Sequence, residues 1–255
     1  MKHFSILSIA ALCGAIIFCA GCDNGDKKTS AKDGARPQLR MVTQATFPPY
    51  EYHEGNKIVG IDPEIVGEIA NNLGYDLVIE DMKFDSVILA VQTKKADIAA
   101  SGITVTEDRK KKINFTLPYV TAQQVVIVPK GSDIKVNGDL KGKRIGVQQG
   151  TTGDLCVTEQ IQEPERFENG ALAVAALAAG KLEAVVLDNE PSRVHVSKHP
   201  NLVILPEPIA VEEYAFALNK DNPELLKQFN AELRKMKKSG KLDAILNKYL
   251  NADQK

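Results

Sequence analysis

The chain has 255 residues, a formal net charge of −1, 25% charged residues, four cysteines and no tryptophan. Its charges are balanced and form no basic stripe, which argues against a nucleic-acid partner. No HExxH motif occurs, and the sequence points to no metal, no cofactor and no catalytic residue.

Lys2 and His3 precede an apolar run over residues 4–20 that ends in small residues, the pattern of a secretory signal peptide over residues 1–21. The run falls short of the roughly 20 apolar residues that a membrane span needs. Residues 22–36 are polar, charged and aperiodic, and read as a flexible tether. Cys13 and Cys19 fall in the leader and Cys22 at its boundary, which leaves Cys156 without a disulfide partner. It reads as a packed small apolar residue.

Roughly 220 residues follow, enough for two lobes of ordinary domain size. They open on a strand over residues 38–43 and a Pro-broken loop, Phe47-Pro48-Pro49-Tyr50-Glu51-Tyr52. After an extended segment at residues 58–61, Asp62 is expected to cap a helix with Pro63 at its first position. Ile65, Val66, Ile69, Ala70 and Leu73 repeat at helical spacing, and Gly74 ends that helix. A strand at 75–79, a helix beginning at Phe84 and a strand at 97–100 come next. The strand runs into Ser101-Gly102-Ile103-Thr104-Val105-Thr106-Glu107-Asp108-Arg109. Here a small-residue loop brings hydroxyls and a guanidinium into one turn, and the planar fork of Arg109 matches a carboxylate.

A strand at 123–128 ends at Pro129, and the alternation then restarts. Strands are expected at 144–147, 184–187 and 203–205, with helices after Gly153, at 171–179 and after Asp188, which reads as a helix cap. Two helices close the chain, at about 223–239 and 242–250. Strands alternating with helices imply α/β layers, with ligands at the carboxyl ends of the strands. The restart implies two similar lobes, residues 37–121 with 213–255 forming lobe 1 and residues 122–212 lobe 2.

Gly60-Ile61-Asp62-Pro63-Glu64-Ile65, with Ile69, Ala70 and Leu73 behind it, resembles the signature of the polar amino acid solute-binding proteins of bacterial ABC importers. Pro63 stands where an aliphatic residue is usual. The resemblance extends over Thr46 to Tyr52, Ser101 to Arg109, the Gly146-to-Gly153 segment and Val186-Leu187-Asp188. It implies a type II periplasmic-binding-protein fold, two α/β lobes joined by two crossing strands that close on one free amino acid. Cys19-Ala20-Gly21-Cys22 is similar to a lipoprotein cleavage site, with Cys22 as the lipidated first residue. That places a monomer in the periplasm or at the cell surface, serving a membrane permease and its ATPase.

Carried onto this chain, the resemblance assigns the ligand α-carboxylate to Arg109, helped by Thr104, Thr151 and Thr152. The α-ammonium falls to Asp188 and the Ser101-Gly102 region. Phe47, Tyr52 and Phe84 become aromatic walls, and Glu51 and Gln148 meet a polar side-chain end. This set leans toward arginine or another basic amino acid. Gln44, where several binders of basic amino acids carry Asp, keeps glutamine or cystine open. The competing reading is a dehydratase of the same fold acting on arogenate- or prephenate-like acids, with Glu190 or Glu51 as general acid.

Overall fold

A computed structural model of the chain describes residues 35–251. The expected leader, the lipidation site Cys22 and nearly all of the tether lie outside the described residues.

Local preference sets out the first half. Strand β1 (Gln38–Thr43) leads to the short β2 (Thr46–Phe47), β3 (Glu51–Glu54) and β4 (Lys57–Val59), and then to helix α1 (Ile61–Asn72). Strand β5 (Asp76–Asp81), helix α2 (Phe84–Gln92), strand β6 (Ile98–Ala99), the one-turn helix α3 (Glu107–Lys110) and strand β7 (Asn114–Phe115) follow. The Pro-broken loop therefore folds back as an antiparallel ribbon, β2-β3-β4. Its short strands escape pattern reading because two prolines interrupt the alternation. The α1 helix buries Ile65, Val66, Ile69 and Ala70 as their spacing requires.

The start of α1 departs from expectation. Asp62 lies inside the helix and caps nothing; Gly60 is the N-cap, with no side-chain cap bond. The orphan N–H groups of Ile61 and Asp62 donate instead to the carbonyls of Pro49 and Tyr50, at 3.1 and 3.0 Å. That contact needs Gly60, whose φ is 132° and whose missing Cβ would lie 2.2 Å from the Tyr50 oxygen.

The chain then runs through the long strand β8 (Val120–Pro129), β9 (Ile145–Gln148), helix α4 (Thr152–Gln160), β10 (Glu165–Phe167) and helix α5 (Gly170–Ala178). Strand β11 (Ala184–Asp188), helix α6 (Asn189–Lys198), β12 (Leu202–Ile204), β13 (Ala210–Tyr214) and β14 (Ala217–Leu218) precede helices α7 (Pro223–Ser239) and α8 (Lys241–Leu250). Two larger sheets result. The first has the order β5-β1-β6-β14-β7, the second β10-β9-β11-β8-β12, with β13 also paired to β8.

Register places the chemistry. β1 lies parallel to both β5 and β6, so their carboxyl ends share one edge. β9, β10 and β11 are likewise parallel in the second sheet. β8 and β13 run antiparallel, Tyr214 opposite Val120 and Ala210 opposite Gln124. On these two strands the chain passes from the first sheet to the second and back. Helices cover both sheets with aliphatic side chains, and Leu39, Met41, Ile98, Tyr214, Phe216 and Phe229 are fully buried in the largest cluster.

Candidate ligand-binding site

The first sheet delivers a cation. Thr106 caps α3, its hydroxyl accepting from the Arg109 N–H at 3.2 Å, which points the Arg109 side chain back under the loop. The guanidinium donates to the carbonyl of Thr104 at 2.9 Å and to that of Gly150 at 3.2 Å, and lies 5.5 Å from the centre of the Phe84 ring. It is 9% exposed. Among the described residues no carboxylate comes within ion-pair distance of it. Burial pulls its pKa down, opposed by the charges of Glu212 and Asp188, yet a guanidinium stays charged.

The second sheet delivers anions. Asp188 ends β11 at the N-cap position of α6 but makes no capping bond, contrary to expectation. Its carboxylate is turned the other way, accepting from Gln124 Nε2 at 2.8 Å and, in a very short contact, from the Tyr214 hydroxyl. Burial pushes its carboxyl up to about 7; the Tyr214 hydrogen bond opposes this and neighbouring Glu212 adds to it. No cation pairs with Asp188 among the described residues. Thr151 is the true cap of α4, its hydroxyl accepting from Asp154 N at 3.2 Å and donating to the Gln148 carbonyl at 2.8 Å.

A second acidic group lies under the loop of the first sheet. Glu51 is 0% exposed; its Oε1 accepts from Ser101 Oγ at 3.1 Å, and its Oε2 has no hydrogen-bond partner. Asp62, displaced from its expected capping role, accepts from the Gly102 N–H at 3.1 Å and the Tyr119 hydroxyl at 2.5 Å. Burial, with Asp62 beside it, holds Glu51 well above the usual carboxylate range, and burial pushes Asp62 up to about 7. Gly102 sits at φ 53°, and a Cβ there would lie 2.8 Å from the Phe47 ring, so only glycine lets the ring close over the loop.

These groups face one another. Gln148 Nε2 donates to Gln44 Oε1 at 2.8 Å and Gln44 Nε2 to the Glu168 carbonyl at 3.2 Å, while Lys83 and Glu168 pair at 2.9 Å. With the Arg109–Gly150 bond, they tie the loops of the first sheet to those of the second. Between them lies a narrow, nearly closed cleft. Its walls are Phe47, Glu51, Phe84, Ser101, Gly102, Thr104 and Arg109 on one side, Gln148, Thr151, Thr152 and Asp188 on the other. Gln44 also lines it.

Tyr52, expected as an aromatic wall, does not line the cavity; it lies on β3 opposite Thr46 and Val59. Glu190, the candidate general acid, also stands outside, bonded to Asn189 at 2.8 Å and Arg193 at 3.0 Å. Cys156, expected as a packed apolar residue, is only half-buried on α4. Among the described residues no cluster of His, Cys, Asp and Glu is arranged to hold a metal ion. Sequence reasoning missed Gln124, Tyr214 and Glu212 as neighbours of the site. Their one signal was position on the crossing strands, and their place beside Asp188 is visible only once β8 pairs with β11 and β13.

The sequence profile of the bacterial extracellular solute-binding proteins, family 3, matches residues 39–252. The chain belongs to that family. The arginine-binding extracellular protein ArtP of Bacillus subtilis (strain 168) is 30% identical to this family 3 protein, over 100% of each chain. Among solved structures, the P235GK mutant of ArgBP from T. maritima superposes with a TM-score of 0.80 at 42% identity, covering 83% of this chain and 94% of that one. An ancestral arginine-binding protein bound to arginine gives 0.79 at 38% identity, covering 85% and 99%. The two-sheet arrangement is the two-lobed α/β fold of the type II periplasmic binding proteins. As a family 3 protein the chain works outside the cytoplasm, in the periplasm or at the cell surface.

Proposed function

We propose that this protein captures a free basic amino acid, arginine in the first place, and hands it to the membrane permease of an ABC importer. One observation carries the reading: an unpaired buried guanidinium and an unpaired buried carboxylate, Arg109 and Asp188, line the same cavity from opposite lobes. Unpaired buried charges are costly, and a zwitterion satisfies both at once. Arg109 keeps guanidinium N–H groups free of the Thr104 and Gly150 carbonyls for the α-carboxylate. Asp188 takes the α-ammonium.

The side-chain end would meet Glu51 and the amides of Gln44 and Gln148, between the rings of Phe47 and Phe84. A cationic side-chain end would favour ionised Glu51, whose second oxygen has no other partner, and flat rings favour a guanidinium. The arginine named for ArtP and for the ancestral protein supports the same choice. A ligand touching both lobes binds the closed form better than the open one, which drives closure about β8 and β13. On this reading residues 37–121 and 213–255 move against residues 122–212. The protein acts as a monomeric binder rather than an enzyme, and is held at a membrane through Cys22.

Calorimetric titration with the twenty amino acids, ornithine and cystine tests this. Arginine is expected to bind tightest, and Arg109→Ala to abolish most of that affinity. Absence of binding by every ligand in the panel overturns the reading.

A further inference from the structure

Glu212 is a carboxylate at the heart of the site that the proposed ligand contacts leave without a task. It stands on β13 opposite Ala122 of β8 and does not line the cavity. Its Oε2 accepts from Thr104 Oγ1 at 2.9 Å, from Thr152 Oγ1 at 2.8 Å and from Gln124 Nε2 at 3.2 Å. Thr104 belongs to the first sheet's loop and Thr152 to the first turn of α4, so one oxygen bridges both lobes from the hinge.

The consequence follows from counting protons. A threonine hydroxyl has one proton to donate and two lone pairs. Both hydroxyls spend that proton on Glu212, and they lie 3.4 Å from each other. What each then turns to the cavity is a lone pair. Such a hydroxyl repels a carboxylate oxygen and attracts an ammonium. Gln124 Nε2 shares its two protons among Asp188 Oδ1 at 2.8 Å and, at 3.2 Å, Thr152 Oγ1 and Glu212 Oε2, so Thr152 keeps one lone pair for the cavity. The hydroxyls of Thr104 and Thr152 would therefore turn away from the α-carboxylate and join Asp188 around the α-ammonium.

We propose that Glu212 is a positioning residue that draws both threonine protons away from the cavity, making an ammonium-selective pocket, and that it latches the two lobes when they shut. The ligand half of this inference rests on the amino acid reading above; the latch half does not. The discriminating probe is 5-guanidinopentanoate, which keeps the carboxylate and guanidinium of arginine and lacks the α-ammonium. Glu212→Ala is expected to weaken arginine at least tenfold more than it weakens the analogue, whose own loss reports only the latch. Glu212→Asp should restore part of the difference, which a merely structural role would not do. Equal weakening of both ligands, or of neither, overturns the ammonium role.

The latch is read separately by small-angle scattering of ligand-free protein. Glu212→Ala is expected to enlarge the radius of gyration relative to wild type, and an unchanged radius overturns the latch. If wild type bound no amino acid at all, the functional reading would fall, and the proposal would then be decided by the scattering alone.

Discussion

Arg109 is held by two carbonyls and one aromatic face, with no acid in ion-pair contact among the described residues. The methyl-capped Arg109→Met removes that charge and keeps most of the volume. It should leave the melting temperature of the empty protein unchanged or higher while lowering arginine affinity by a factor of about 100 or more, since losing one partner of a buried charge pair costs about 2–5 kcal/mol. Scanning and titration calorimetry of the same sample separate the two effects. Asp188 makes the complementary case through pH. Its pKa in the fold is about 7, against an ordinary carboxylate near 4 in the unfolded chain, so the folded state binds the extra proton between those values. Its contribution to stability is full below about pH 4 and is lost as pH rises toward 7. Asp62, also at about 7, acts with the same sign. Asp188→Asn should therefore flatten the fall in melting temperature between about pH 4 and 7. An ammonium favours the ionised carboxylate, so wild-type affinity for arginine should rise from pH 6 to 8, with proton release seen as a buffer-dependent heat. A pH-independent affinity would exclude Asp188 from the ammonium site.

Elements hold these side chains by backbone contacts that tolerate little addition. The start of α1 docks onto the Pro49-Tyr50 carbonyls through Gly60, where a Cβ has no room. Gly60→Ala is expected to destabilise by about 3 kcal/mol or more, from close contact together with left-handed strain. Gly55→Ala is the matched control: φ is 60° but no atom lies within 4 Å, so only the backbone cost of about 1 kcal/mol applies. Urea denaturation of both variants checks the difference. A third glycine bears on function more than on stability. A Cβ on Gly153, at the start of α4, would lie 2.7 Å from Gln124 Oε1 and push the amide away from Asp188 and Glu212. Gly153→Ala should lower arginine affinity several-fold with a smaller change in melting temperature. At the other end of the chain, Asn222 caps α7 through Leu225 N at 3.2 Å. Asn222→Ala should cost about 1 kcal/mol and leave binding untouched.

At the scale of the molecule, the lobes already touch through Gln44–Gln148, Arg109–Gly150 and Lys83–Glu168. These contacts bridge polar and charged groups whose exposed members are worth little. Together with the Glu212 bridge they close part of the ligand-free population, and a ligand completes the closure. Arginine should raise the melting temperature in proportion to the logarithm of its concentration above Kd. It should also shrink the radius of gyration, and a ligand that stabilised the fold without compaction would argue against hinge closure.

Sequence alone determined the helices α1, α2, α7 and α8 and the parallel strands of both sheets other than the short, exposed β10, because apolar periodicity is a local property that burial reads directly. It also determined that Arg109, Thr104, Thr152 and Asp188 stand at strand ends, because small residues, hydroxyls and charges cluster where β-structure stops. Tertiary structure alone decided which partner each polar group meets. Asp62 left its capping role for Tyr119 and Gly102, and Asp188 for Tyr214 and Gln124. Tyr52 moved off the cavity wall while Gln44 joined it. Glu212 gained its place only when β13 paired with β8. Tyr214 and Asp188 lie 26 residues apart and Thr104 and Glu212 lie 108 apart, and no local pattern encodes contacts across such distances.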